Sequence, residues 1–200
     1  MTPLPESIRN SESRPGVFLD RDGVLIENVH TYVREWSHVE IFPFVPNCLA
    51  RLKALGLPVF VVTNQAIVGR GLLPLDQITA LHARIIEAID PQHAILQSYL
   101  CPHHPDERCN CRKPLPGSLL KASREFNIDL EKSFMIGDAI TDIEAGLNAK
   151  VQPILVLTGR GMIESQKFSH LEIPVLPSLS EAVDWIEKAI TIRIMETVKL

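Results

Sequence analysis

Two carboxylates one residue apart, Asp20 and Asp22, directly follow the apolar run Val17–Leu19 in VFLDRDGV. Side chains so placed can divide a group transfer between them. One attacks as a nucleophile, the other moves protons, and both can approach a divalent cation. The Asp22-Gly23 pair between VFL and VLI also reads as a hairpin turn, which would be structure alone. Thr63 follows the run Val59–Val62, where its hydroxyl and the N–H groups of the turn through Asn64 and Gln65 can donate to phosphate oxygens. A threonine ending a strand is also ordinary structure. Lys113, set between Cys111 and Pro114 in CRKP, offers an ammonium to neutralise charge on a transferring phosphoryl group. In IGDAITD, Asp138 leaves an apolar run and can reach a cation there; without one it would face mostly apolar neighbours. Asp142 sits at the start of the next helical stretch, where capping free N–H groups is an equal reading.

A second cluster has different chemistry. Cys101 and His103, then five residues, then Cys109 and Cys111 place three thiols and an imidazole within one loop. Such a set suits a closed tetrahedral structural zinc, with about 2.3 Å to sulfur and about 2.0–2.1 Å to nitrogen. Spacing does not choose between His103 and His104, and a disulfide or free thiols are the alternatives. The loop immediately precedes Arg112 and Lys113, so a metal there would hold both over the phosphate site. Cys48 stands apart in an amphipathic helical stretch.

These residues need elements to position them. Val17–Leu19, Val59–Val62, Ile95–Leu100, Phe134–Ile136, Ile154–Leu157 and Pro174–Leu176 read as strands, continuous in apolar character as strands buried on both faces should be. Between them Pro46–Leu55, Pro74–Ile89, Gly117–Phe126, Asp142–Asn148 and Leu179–Ile194 carry apolar residues at helical spacing. The alternation predicts an α/β fold with a doubly wound parallel sheet, which binds ligands at the carboxyl ends of its strands. Residues 1–16 read as a flexible polar lead-in and 17–200 as one domain carrying the zinc loop 101–111.

Composition narrows the function class. The chain has 200 residues, 46% hydrophobic and 22% charged, with a formal net charge of −4. That balance offers no basic face for nucleic acid, and no apolar run is long enough to span a bilayer. The polar, Pro-rich start lacks the apolar core of a signal peptide, so the expectation is a cytoplasmic protein, acting as a monomer.

In their order and spacing, FLDRDG, VVTNQ, CRKP and IGDAITD resemble the four signature motifs of the haloacid dehalogenase superfamily, phosphatase branch. The likeness runs from about Val17 to Gly161. It implies a Rossmann-like sheet and a magnesium-dependent phosphomonoester hydrolase. Asp20 would form an aspartyl-phosphate, and Asp22 would protonate the leaving alcohol and then activate water. Magnesium would be held by Asp20, the Asp22 carbonyl and Asp138. Thr63 and Lys113 would hold the phosphate oxygens, with Asp142 in support. The zinc loop resembles that of the subgroup containing heptose-bisphosphate and histidinol-phosphate phosphatases, whose pattern selects His103.

The intervals between motifs leave no room for a large cap domain, so the resemblance implies an open site for a small phosphorylated metabolite. The segments around His30–Val33, Gly69–Gly71 and Lys113–Gly117 resemble the heptose-bisphosphate branch, with Asn64, Arg70 and Arg112 as candidate substrate contacts. A surface role is an equal reading for Arg70. The short five-residue interval in the loop matches the histidinol-phosphate branch instead. Gln65 is also followed by Ala66-Ile67 where the heptose branch usually has Ser-Gly, so histidinol phosphate or another small sugar phosphate stays open. A phosphorylation-receiver switch would share the Asp, Thr and Lys, but needs neither Asp22 nor the thiol loop.

Overall fold

In the computed structural model, residues 13–168 and 172–198 are described. Six strands form one sheet in the order β3-β2-β1-β4-β5-β6, every pair parallel. They are β1 (Val17–Leu19), β2 (Val59–Asn64), β3 (Ile95–Cys101), β4 (Phe134–Gly137), β5 (Gln152–Val156) and β6 (Val175–Leu176). The helices are α1 (Val45–Ala54), α2 (Ala66–Gly69), α3 (Leu75–Ile89), α4 (Gly117–Phe126), α5 (Ile140–Asn148), α6 (Gly161–Glu164) and α7 (Leu179–Val198).

Alternation along β1 sends side chains to two different cores. Val17 and Leu19 join the apolar faces of α1, α3 and α7, while Phe18 faces Phe60, Leu119, Ala122 and Met135. Phe18 stacks on Phe60 with ring centroids 5.2 Å apart. Helices on both faces are what a parallel sheet needs to bury its backbone. Helix boundaries follow the local signals. Pro46 occupies the first turn of α1, and Gly56 beyond its end takes φ +71°.

The sequence expectation differs from the structure at β3. That run was expected to be buried on both faces, yet Leu96 and Gln97 are exposed. Among the described residues β3 pairs with β2 alone and forms the sheet edge, and its register skips Leu96, so this end of the strand is left uncovered. The expected lead-in falls mostly on residues 1–12, outside the described residues. At its end Arg14 forms a parallel bridge with Ile128, its carbonyl accepting from Asp129 N at 2.9 Å.

The strand order reverses direction beside β1. β2 and β3 lie to one side of it, β4 to β6 to the other, and the crevice at that switch point lies beyond the carboxyl ends of β1 and β4. Asp20 and Asp138 are the residues that leave those two strands.

Candidate active site

Register brings the two acids together. Leu19 pairs with Ile136, and Asp20 N donates to the Ile136 carbonyl at 3.0 Å, so Asp20 and Asp138 emerge side by side. Asp142, in the first turn of α5, completes a buried trio in which each carboxylate offers an oxygen within 4.8 Å of the others. Both readings of Asp142 hold at once. One oxygen accepts from Ala139 N at 3.1 Å, capping the helix, and the other pairs with Lys113 Nζ at 2.7 Å.

Lys113 is almost fully buried, and its three ammonium protons have three acceptors. These are Asp20 Oδ1 at 2.8 Å, Asp142 Oδ1 at 2.7 Å and the Val62 carbonyl at 2.6 Å. Burial works against the ammonium, but the pull of Asp142 and Asp20 outweighs it and raises its pKa. Burial, with Asp142 and Asp22 as like charges, lifts Asp20 to about 6 even against Lys113. Asp138 and Asp142 are also raised, burial being the largest cause for each.

One lysine among three buried carboxylates leaves negative charge in surplus. Asp138 Oδ2 accepts from Arg160 N at 2.8 Å and Asn28 Nδ2 at 3.3 Å and lies 3.7 Å from the half-exposed Arg160 Nε, but its Oδ1 is buried with no hydrogen-bond partner among the described residues. A hard divalent cation fits that donor set: carboxylate oxygens, one of them unsatisfied, in a charge-deficient pocket. A Cβ on Gly23 or Gly159 would collide with the Asp138 carboxylate, so both glycines keep the backbone close around it.

Asp22 is placed differently. It lies at the cleft, its carboxylate gripped by Arg21 Nε and Nη2 at 3.0–3.3 Å. Gln65 Nε2 donates to it at 3.0 Å and to Thr63 Oγ1 at 2.8 Å. The hairpin alternative does not form: β1 pairs with β2 and β4 instead, Asp22 and Ile26 make an isolated parallel bridge, and the Arg21 carbonyl accepts from Leu25 N at 2.9 Å in a local turn.

In the thiol loop, Cys111 Sγ lies 3.2 Å and Cys101 Sγ 3.5 Å from His103 Nδ1, and Cys101 and Cys109 sulfurs are 3.8 Å apart. A tetrahedron with metal–sulfur bonds of about 2.3 Å has edges of roughly 3.8 Å, so the four ligand atoms fit a zinc ion and no disulfide is formed. His104 turns elsewhere, toward Asp106 at 3.3 Å. The loop is stitched to the site by backbone bonds: Gln65 N to Cys101 O (2.7 Å), Gly69 N to Pro102 O (2.8 Å) and Gly117 N to Asn110 O (3.0 Å). A Cβ at Gly69 would strike the His103–His104 backbone. Asn64 uses both ends of its amide on the main chain of Lys113, at 2.9 and 3.1 Å, so it positions the lysine.

The site opens into a cleft of about 740 Å³ lined by Asp20, Asp22, Thr63, Arg70, Arg112 and Lys113, together with His30, Tyr32 and Arg160. Arg112 Nη1 is buried without a hydrogen-bond partner among the described residues, whereas Arg70 is exposed. Asp20, Asp22, Thr63, Asn64, Arg70, Arg112 and Lys113 thus line one cleft, Asp138 and Asp142 lie fully buried within ligand distance of Asp20, and the thiol loop packs against the cleft. Arg21, Gln65, Asn28 and Arg160 are further polar residues here that the spacing of the motifs did not single out.

The comparisons agree with this geometry. The HAD-hydrolase-like family model matches residues 110–182. The D-glycero-beta-D-manno-heptose-1,7-bisphosphate 7-phosphatase of Yersinia pestis is 37% identical over 88% of this chain and 91% of its own length. The chain belongs to the HAD-like hydrolase family and is a phosphatase. Another family member, the Escherichia coli K12 protein of the same name, is 34% identical over 88% of this chain and 90% of its own. The crystal structure of D,D-heptose 1,7-bisphosphate phosphatase from B. bronchiseptica, complexed with magnesium and phosphate, superposes with TM-score 0.81. It is 29% identical and covers 88% of this chain and 99% of its own. Among the described residues of this HAD-like phosphatase, no helix is long and apolar enough to cross a membrane.

Proposed function

We propose that this phosphatase removes one phosphate from D-glycero-D-manno-heptose 1,7-bisphosphate, at the 7-position, through an aspartyl-phosphate on Asp20. The observation that carries the chemistry is the buried Asp20 carboxylate, 2.8 Å from Lys113 Nζ at the open end of the cleft. The substrate reading is supported by relatives of that name at 34–37% identity and by Arg112, which lines the cleft as a cation suited to a second anionic group.

Asp20 Oδ forms the bond to phosphorus as the bond to the alcohol oxygen breaks. Asp22 delivers a proton to that oxygen, then takes one from the water that attacks the aspartyl-phosphate, releasing inorganic phosphate and free Asp20. Thr63 donates to an equatorial oxygen, and Lys113 neutralises charge beside it. Asp20, Asp138 and the Asp22 carbonyl would hold Mg²⁺, which when bound offsets charge shared by nucleophile and phosphoryl oxygens. Asp142 supports Lys113. Cys101, His103, Cys109 and Cys111 would hold a structural Zn²⁺ that keeps Arg112 and Lys113 in place. Arg70, at the exposed rim, makes at most a secondary substrate contact. The thiol cluster suits a reducing compartment, which supports a cytoplasmic protein, and we take it to act as a monomer.

The five-residue interval in the thiol loop favours histidinol phosphate as a second reading. The test is phosphate release, with magnesium, from both anomers of the heptose bisphosphate, histidinol phosphate and fructose 1,6-bisphosphate, using Asp20→Asn as the blank. Preference for a heptose bisphosphate with loss of a single phosphate supports the reading. Preference for histidinol phosphate, or no release from any of the four, defeats it.

A further inference from the structure

We propose that Arg21 is the positioning residue for Asp22, holding the carboxylate at a fixed point beside Thr63 from which it delivers and recovers the proton. This rests on the acid–base role given to Asp22 above.

Arg21 is 1% exposed, among the largest fully buried side chains. Burying a guanidinium is costly unless it is well paired, and among the described residues Asp22 is the only carboxylate it pairs with. Two of its nitrogens reach both oxygens of that carboxylate, a fork that fixes the plane of the acid as well as its place. The backbone end is anchored too, since its carbonyl accepts from Leu25 N and Ile26 N. Gln65 completes the clamp, tying Asp22 Oδ2 to the Thr63 hydroxyl through one amide nitrogen. Asp22 itself remains 23% exposed and faces the cleft. A rigid, buried arginine spent on one cleft-facing acid is the arrangement that positioning of a proton carrier requires, and a lysine would keep the charge but not the fork.

The test uses full-length, magnesium-loaded enzyme with a sugar phosphate and with p-nitrophenyl phosphate, whose leaving oxygen needs no proton. Arg21→Met should lower kcat on the sugar phosphate about 10²-fold, with KM within about threefold. Formation of the aspartyl-phosphate from p-nitrophenyl phosphate, read by rapid quench, should slow far less. Arg21→Lys should recover part of the loss. In an Asp22→Asn background, Arg21→Met should cost nothing further, because its effect passes through the missing acid. Equal losses on both substrates and steps, or an additive loss in that background, would overturn the proposal. If Arg21→Met does not fold, Gln65→Met, which removes the other donor to the same carboxylate, is held to the same criteria. An Asp22→Asn enzyme with intact turnover sinks the acid–base reading itself, whereas a crippled one with additive Arg21→Met sinks only the clamp.

Discussion

The trio at the strand ends and the thiol loop are both candidate metal centres, yet they are built on opposite plans. Asp20 comes from one stretch of chain and Asp138 and Asp142 from another far along it, and the three are set by the sheet and the first turn of α5. The sheet exists whether or not a cation is present, because its strands lie in apolar cores on both faces. The thiol loop comes from one stretch, residues 101–111, and its outer residues 105–108 are all exposed. It has almost no core of its own, so what it encloses must hold it. A scaffold that is rigid in advance can keep like charges together for chemistry; a scaffold that is not must borrow rigidity from its ligand.

The largest effect should come from removing chemistry on the rigid side. Asp20→Asn should cut turnover by about 10⁴-fold or more, while far-ultraviolet circular dichroism and Tm stay near the parent values. Wild-type-like activity would remove Asp20 from its role. On the borrowed side, Cys109→Ser should release the metal, speed hydrogen exchange across residues 101–113, and lower kcat/KM about 10- to 100-fold through Lys113. Unchanged exchange in that segment, or purified protein without zinc, would break the contrast between the two centres.

Asn64→Ala tests the seam between them, since Asn64 joins β2 to the backbone of Lys113. We expect about a tenfold loss in kcat and about 1–2 kcal/mol in stability. A loss confined to stability would mean the seam does not transmit position.

The smallest effect on turnover should come from His82, deep on the rigid side. Burial, reinforced by the Arg21 charge, lowers its pKa from 6.5 to about 4, and neither ring nitrogen has a hydrogen-bond partner among the described residues. The unfolded chain binds this proton first as pH falls. Stability is therefore whole above pH 6.5 and lost progressively down to about 4, by about 3 kcal/mol at the end. His82→Leu should flatten the decline of Tm across that range and leave kcat alone. An unchanged decline would show that other groups control acid unfolding.

The fold was legible because the buried strands are short apolar runs and each is followed by a polar residue suited to chemistry. Asp20, Thr63, Cys101 and Asp138 could be placed from that pattern. His103 and His104 could not be separated, since the choice depends on which imidazole the loop turns inward. The same holds for Asn64, placed by sequence among substrate contacts, whose amide turns instead to Lys113. Gln65 was silent because a side chain's partner across the fold leaves no mark on local periodicity, and Arg21, although its partner is the next residue, because its burial depends on what packs around it. β3 misled for a related reason: an apolar run shows that a strand exists, while its exposed face depends on whether a neighbour covers it.

Asp20, the proposed nucleophile, leaves β1 near the middle of the sheet, a strand hydrogen-bonded to β2 on one flank and β4 on the other. A chain emerging from the ribosome presents β2 soon after β1, but β4, Asp138 and Asp142 only after the thiol loop and α4 have been made. Until then one edge of β1 is open, and Asp20 lacks the acids that shape its neighbourhood. Competence therefore cannot arrive before β4 and the first turn of α5 are made, so an unfinished chain is an unpaired edge in need of protection before it is an enzyme.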